Sequence, residues 1–185
     1  MTAELTISRH DGAGALELQD ELVSLYSASH GDVVHIPFMS PERYRQRLVD
    51  MYAPLAGFEL VTGRLDGELA GYAFGSPRPN SASTWEDLRR ARPDLPVPST
   101  PLPIYIFREF AVHPEHQGRG YGRLLHDALL GPRTEPLAHL LVRQDNDRAR
   151  CAYQKWGWEA AGTLQPFPDA PLFDVMVRRL PLLPR

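Results

Sequence analysis

Cysteine occurs once in the 185 residues, at Cys151, so the chain closes no internal disulfide and holds no multi-cysteine zinc site. Neither neighbour, Arg150 or Ala152, supplies the base that a nucleophilic thiol needs, and Cys151 reads as a small incidental hydrophobe. Lysine is equally scarce, Lys155 being the only one. Basic residues number 20 against 23 acids, a net charge of −3, which excludes a global field for nucleic acid or an anionic membrane. No apolar run approaches the ~20 residues that span a bilayer. Residues 1–10 lack the basic-then-apolar layout of a secretion signal. The expectation is a cytoplasmic protein with neither nucleic acid nor membrane as partner.

What is present suits one domain over residues 1–185, with 43% hydrophobic and 23% charged residues. Residues 5–9 alternate as a short strand, and Leu16, Leu18, Leu22, Val23 and Leu25 predict a helix over 13–26. Ser40 caps a second helix, with Pro41 at its first position and residues 43–52 as its body. Two alternating runs, 58–65 and 68–75, meet at Asp66-Gly67; both residues tolerate positive φ, which makes this a hairpin. Residues 76–103 are crowded with proline (Pro93, Pro96, Pro98, Pro101, Pro103) and leave room for a short helix at 84–91. A connection this long is either a substrate-side lid or a passive insertion.

Residues 104–112 return to strand. Tyr121, Leu124, Leu125, Ala128 and Leu129 then fall on one helical face, ended by Gly131-Pro132. A strand at 139–143 follows, then a helix carrying Ala149, Ala152, Tyr153 and Trp156, stopped by Gly157. Strands at 160–164 and 172–180 close the chain. This order predicts a mixed α/β (α+β) domain with one main sheet.

The chemistry concentrates in Glu109-Phe-Ala-Val-His-Pro-Glu-His-Gln-Gly-Arg-Gly-Tyr-Gly122. Gly118, Gly120 and Gly122 remove side chains where a strand hands over to a helix. Unpaired amides and the helix dipole favour a phosphate there, and Arg119 and Arg123 can add charge-assisted contacts. A dinucleotide-binding oxidoreductase is disfavoured, because its fingerprint is G-x-G-x-x-G near the first strand. A P-loop is excluded, since no Gly-Lys-Ser/Thr follows. Taken alone, a glycine-rich strand-to-helix turn is ambiguous, and a tight turn without a ligand is the minor reading.

These residues resemble the GNAT superfamily of N-acetyltransferases. Its pyrophosphate motif, Gln/Arg-x-x-Gly-x-Gly/Ala, stands here as Gln117-Gly118-Arg119-Gly120-Tyr121-Gly122, after the lead-in Ala111-Val112-His113-Pro114-Glu115. A second family segment is similar to Asn146, Ala149, Tyr153, Gly157 and Trp158, with Trp158 in place of the usual Phe. The likeness covers roughly residues 104–180; the first hundred agree only in element order. It implies a GNAT-like fold: a mixed, mostly antiparallel sheet of about seven strands flanked by about four helices and splayed between strands 4 and 5. It also implies acetyl-CoA as co-substrate. Ala111 and Val112 would offer backbone groups to the pantetheine arm and thioester, and Gln117, Gly118, Arg119, Gly120, Tyr121, Gly122 and Arg123 would meet the pyrophosphate. Asn146 would touch the cofactor or cap its helix.

The same resemblance makes Tyr153 the general acid, since a phenol and a thiol have similar pKa values, about 10 and 8.5. Pattern alone would place Tyr153 in the core. Glu109 is the candidate base, with structural pairing to Arg108 or Arg143 as its alternative. The family's other position for an acid, five residues before the Asn, is Leu141 here. His113 and His116 flank Pro114 with no third ligand indicated, so no metal site is expected. Arg89, Arg90 and Arg92 read as a solvated face.

The implied activity is acetyl transfer to a primary amine of a small molecule or peptide by direct attack in a ternary complex. A non-catalytic acyl-CoA-binding or sensor module is the alternative. The acceptor would be met by the first two helices, near residues 30–52, and by residues 76–103, with Phe38, Tyr44, Tyr52 and Trp85 among the aromatic candidates and Glu42, Glu86 and Asp87 among the acidic ones. Open sheet edges leave a homodimer available.

Overall fold

The structure, a computed structural model, describes residues 4–78, 83–97 and 103–182. Seven strands, β1 (Thr6–His10), β2 (Glu59–Leu65), β3 (Glu68–Arg78), β4 (Ile104–Val112), β5 (Leu137–Arg143), β6 (Glu159–Leu164) and β7 (Phe173–Arg179), form one mixed sheet. Their order is β1-β2-β3-β4-β5-β7-β6. β1–β2, β2–β3, β5–β7 and β6–β7 are antiparallel, whereas β4–β5 is parallel. That parallel register joins only Tyr105 to Ala138 and Ile106 to His139, although β4 continues to Val112.

The sequence pattern predicts about four helices; the described residues hold six: α1 (Gly12–Glu17), α2 (Gln19–Ser29), α3 (Pro41–Gln46), α4 (Ser83–Ala91), α5 (Tyr121–Leu130) and α6 (Asp147–Lys155). The stretch expected as one helix at 13–26 breaks at Leu18, which leaves the α region at φ −93°, ψ 2° while its N–H reaches the Gly14 and Leu16 carbonyls. The apolar spacing runs through this break, so periodicity alone cannot find it. α4 occupies the place at 84–91 where the proline-rich stretch left room for a short helix; residues 79–82 and 98–102 of that stretch lie outside the described residues. Ser40 caps α3 as expected, accepting from the Arg43 amide at 3.2 Å. The turn after α3 widens into a π-helical segment, Arg47–Tyr52.

The chain divides into two compact units. One comprises Met1–Ser76 and Arg108–Leu130. Its core includes Leu22, Tyr26, Tyr44, Leu48, Leu60, Tyr72 and Phe74. Two glycines bring α5 down onto this sheet. Gly63 and Gly71 face each other across β2 and β3, and Leu125 of α5 rests over both. A Cβ on Gly71 would meet Leu125 at 2.7 Å and the Ala111 carbonyl at 2.9 Å. Arg9 of β1 holds the far end of α5 through the Ala128 carbonyl, and also pairs with Glu59. The buried face of α5 is Leu125, His126, Leu129 and Leu130, while Leu124 is exposed. His126 tolerates burial because its Nδ1 meets Asp127 at 2.7 Å.

The other unit comprises Pro77–Phe107 and Gly131–Arg185. Trp85 and Leu88 of α4, with Leu95 and Val97 after it, pack against Ile104, Leu137, Ala161, Val175 and Val177. Arg92 fixes this segment, pairing with Asp94 and Glu159 and donating to the Ala160 carbonyl at 2.7 Å. Trp85 is therefore core, and Arg92 a structural clamp.

Candidate active site

The first unit carries the glycine turn. After β4, His113 donates its amide to the Ala70 carbonyl at 2.8 Å, and a 3-10 turn at Pro114–His116 redirects the chain. Gln117 then donates from Nε2 to the Val112 carbonyl at 2.9 Å. Gly118 and Gly120 have φ of 77° and 85°, left-handed conformations that cost other residues about 1–2 kcal/mol. A Cβ on either would meet nothing within 4 Å, so backbone conformation, not crowding, selects glycine here. The amides of Gly118, Arg119, Gly120 and Gly122 have no hydrogen-bond partner among the described residues. The first helical bonds of α5 are those of Arg123 and Leu124 to the Gly120 carbonyl, at 3.1 and 3.3 Å. An array of unbonded N–H groups at a helix start carries partial positive charge and suits an anion.

The side chains around this turn divide. Arg119 is exposed. Arg123, a sequence candidate for phosphate contact, bonds through Nε to Asp127 at 2.8 Å. Burial alone would raise the Asp127 pKa; hydrogen bonds from His126 and Arg123 outweigh it and hold the carboxyl at about 2. Tyr121 opens α5 and is half-buried.

Glu109 lies on the same strand, three residues before Val112. Its Oε1 is 4.0 Å from Nε2 of His30, and each side chain is 18% exposed. Burial raises the Glu109 pKa, and the charges of His30 and Arg47 partly oppose that. Arg47 is buried, donating to the Phe38 carbonyl at 2.6 Å with its guanidinium 4.4 Å from the Phe38 ring. Tyr44 and Tyr72 are also buried; desolvation raises both phenols well above their ordinary value, and Glu109 adds to this. His30 stacks on Tyr26 at 4.3 Å between ring centres, and Tyr26 on Tyr44 at 4.1 Å. Arg108, a sequence candidate for pairing with Glu109, donates to Ser76 at 2.9 Å and lies 4.9 Å over the Tyr52 ring. Arg143, the other, pairs with Asp145. No sequence motif pointed to His30 or Arg47, because each comes from a segment remote from β4.

The second unit carries the other two motif residues. Asn146 caps α6, its Oδ1 accepting from the Ala149 amide at 3.1 Å. Tyr153 is 8% exposed and sits edge-on to Phe107, Trp156 and Trp158, ring centres 6.3, 5.8 and 6.0 Å away. Gly157, at φ 86°, ends the helix as its position suggested. Among the described residues no cluster of three His, Cys, Asp or Glu side chains could hold a metal ion, and none of the helices is long and apolar enough to cross a membrane.

Comparison with known proteins follows the same lines. The model of the acetyltransferase (GNAT) family matches residues 20–158. Among curated proteins there is no significant sequence match. Solved structures share the fold. The protein PH1933 of Pyrococcus horikoshii OT3 superposes with a TM-score of 0.66 at 18% identity, over 97% of this chain and all of that one. The ribosomal-protein-S18-alanine N-acetyltransferase of Escherichia coli gives 0.61 at 17%, over 95% and 94%. PaiA N-acetyltransferase of Thermoplasma acidophilum, solved with coenzyme A, gives 0.56 at 12%, over 96% and 99%. The family match spans most of the chain and includes both the glycine turn and Tyr153, so the chain belongs to the GNAT family of acetyltransferases and is an acyltransferase.

Proposed function

We propose that the protein transfers an acetyl group from acetyl-CoA to a primary amine of a small molecule or peptide, by direct attack in a ternary complex. The observation that carries this reading is the set of unbonded amides of Gly118, Arg119, Gly120 and Gly122 at the start of α5. They suit a pyrophosphate, and Gly118 and Gly120 take the positive φ that lets successive amides form an anion-binding turn. Backbone groups of Ala111 and Val112 would meet the pantetheine arm, although Gln117 already occupies one lone pair of the Val112 carbonyl. Arg119 would add a mobile positive charge.

The chemistry needs two proton movements. An ammonium must lose one proton before its nitrogen can attack the thioester carbonyl. The C–N bond then forms as the C–S bond breaks, and the leaving sulfur takes a proton. Glu109 is a base whose raised pKa suits it to accept the first proton. Tyr153, which stands where its helix resembles the family segment, is the acid we assign to the second; the second proton lost by the nitrogen restores its phenol. No covalent enzyme intermediate is needed, consistent with the lone Cys151 being an unremarkable surface residue.

Calorimetric titration tests the proposal. Acetyl-CoA should bind in the micromolar range, with binding lost in Gly120→Asp and kept in Tyr153→Phe. A thiol-release assay over spermidine, free lysine, an aminoglycoside and an alanine-terminated peptide then identifies the acceptor class. No binding of any CoA species would overturn the reading; binding without thiol release for any amine would favour a sensor module.

A further inference from the structure

His30 is placed in a way its structural duties do not require. Its Nδ1 lies 3.1 Å from the Tyr26 carbonyl and 2.9 Å from Ser29 Oγ, while Ser29 Oγ itself donates to that carbonyl at 3.1 Å. A carbonyl only accepts, so a proton on Nδ1 satisfies it, and in that neutral tautomer His30 keeps a lone pair on Nε2. That lone pair faces Glu109 Oε1 at 4.0 Å, and Nε2 has no hydrogen-bond partner among the described residues. Two acceptors this far apart do not bond each other. A single nitrogen about 2.8 Å from each bridges them, its two N–H bonds at roughly right angles. With 18% of each side chain exposed, neither group is sealed from an incoming molecule.

We propose that His30 Nε2 and Glu109 Oε1 together receive the N–H groups of the acceptor amine, and that His30 is a second proton acceptor for the transfer. This rests on the acetyl-transfer reading above and names how its amine is held. The groups around the pair fit that task. Arg47 from the π-helical segment helps keep Glu109 ionised despite burial, and Tyr44 of α3, Tyr52 and Tyr72 of β3 surround it with aromatic rings rather than with water. A neutral imidazole beside a carboxylate leaves one negative charge, which attracts an ammonium ion. That ion gives one proton to the pair, which passes it to solvent. The amine then attacks the thioester carbonyl, and its second proton ends on the CoA sulfur. Stacking on Tyr26 fixes the ring plane, so Nε2 stays aimed at Glu109 through the cycle.

Three variants separate this from a packing role, assayed with whichever panel amine turns over fastest. His30→Phe keeps a ring against Tyr26 but has no nitrogen. It should lose at least ten-fold in kcat/KM for the amine, with acetyl-CoA affinity and Tm unchanged. His30→Gln offers an oxygen that accepts a hydrogen bond but takes no proton at working pH, so it should recover KM for the amine and not kcat. The double variant His30→Phe with Glu109→Gln should lose little more than the worse single, because both groups act on one nitrogen. Nitrogen NMR at pH 8 should show His30 in the Nδ1–H tautomer, whether or not an amine turns over. Full activity in His30→Phe, or the Nε2–H tautomer, would overturn the proposal. Absence of turnover in the unmodified protein would instead count against the acetyl-transfer reading itself.

Discussion

Gln117 turns its side chain inward, donating from Nε2 to the Val112 carbonyl at 2.9 Å. The bond ties Gln117 back to the end of β4, next to the amides of Gly118, Arg119, Gly120 and Gly122 that have no hydrogen-bond partner among the described residues. The resemblance makes Gln117 a contact for phosphate; its side chain bonds within the loop, and its amide donates to the Pro114 carbonyl at 3.3 Å. On the proposed reading, cofactor affinity would depend on this side chain through the shape of the turn.

Replacing Gln117 by Ala removes that bond, a loss of about 1 kcal/mol that falls on the loop rather than the core. Acetyl-CoA affinity should drop five- to ten-fold by calorimetry, while Tm moves little. Gln117→Glu should be worse, because a carboxylate faces the Val112 carbonyl with no proton to offer. Equal affinity in all three proteins would show that the turn holds its shape without the bond.

Gly71→Ala tests how α5 is seated. The added methyl meets Leu125, which can shift, and the Ala111 carbonyl, which belongs to the strand that leads into the glycine turn. Overpacking of this kind costs about 1–3 kcal/mol. A lowered Tm accompanied by weaker acetyl-CoA binding is expected. A destabilised protein with unchanged affinity would mean that the seat of α5 and the shape of its N-terminus are independent.

Local chemistry explains what the sequence made legible. Asp66 and Gly67 adopt φ of 49° and 88°, as an Asp-Gly hairpin demands, and Ser40 and Asn146 cap the helices they precede. Each of these is decided within four residues. The break at Leu18 is invisible because apolar spacing continues across it. The face of α5 is misread at Leu124 because periodicity cannot weigh a buried His126 that has its own carboxylate partner. Trp85, flanked by Glu86 and Asp87, looks like surface but lies in a core assembled from β4 to β7. The neighbours of Glu109 were unreadable for a related reason: His30, Tyr44, Arg47 and Tyr72 come from four separate elements that only the fold gathers.

Glu109 should cost stability in return for its chemistry. Its pKa is raised in the folded protein, so the fold favours the neutral acid. Below the unfolded value near 4.3, both states hold the proton and the group is silent. As pH rises toward and through the folded value, the unfolded chain ionises more freely and the native state loses ground. Glu109→Gln should therefore match the unmodified protein in Tm near pH 4 and exceed it near pH 8, while losing two or more orders of magnitude in kcat. A variant less stable at pH 8 would show that the attraction of Arg47 outweighs burial.

Tyr153 has a place in the core and a proposed role in catalysis, and one substitution separates the two. Its ring fills a place among Phe107, Trp156 and Trp158, so Tyr153→Ala would remove core and chemistry together, at about 3–5 kcal/mol. Tyr153→Phe keeps every ring contact and removes only the hydroxyl. If the phenol protonates the departing thiolate, the Phe variant should bind acetyl-CoA with unchanged affinity and unfold within a few degrees of the unmodified protein, yet turn over at least ten-fold more slowly. The deficit should shrink with an acyl donor whose leaving thiol has a lower pKa, because a better leaving group needs the proton less. A deficit that persists across such donors would place Tyr153 in the core alone, and the leaving sulfur would take its proton from water.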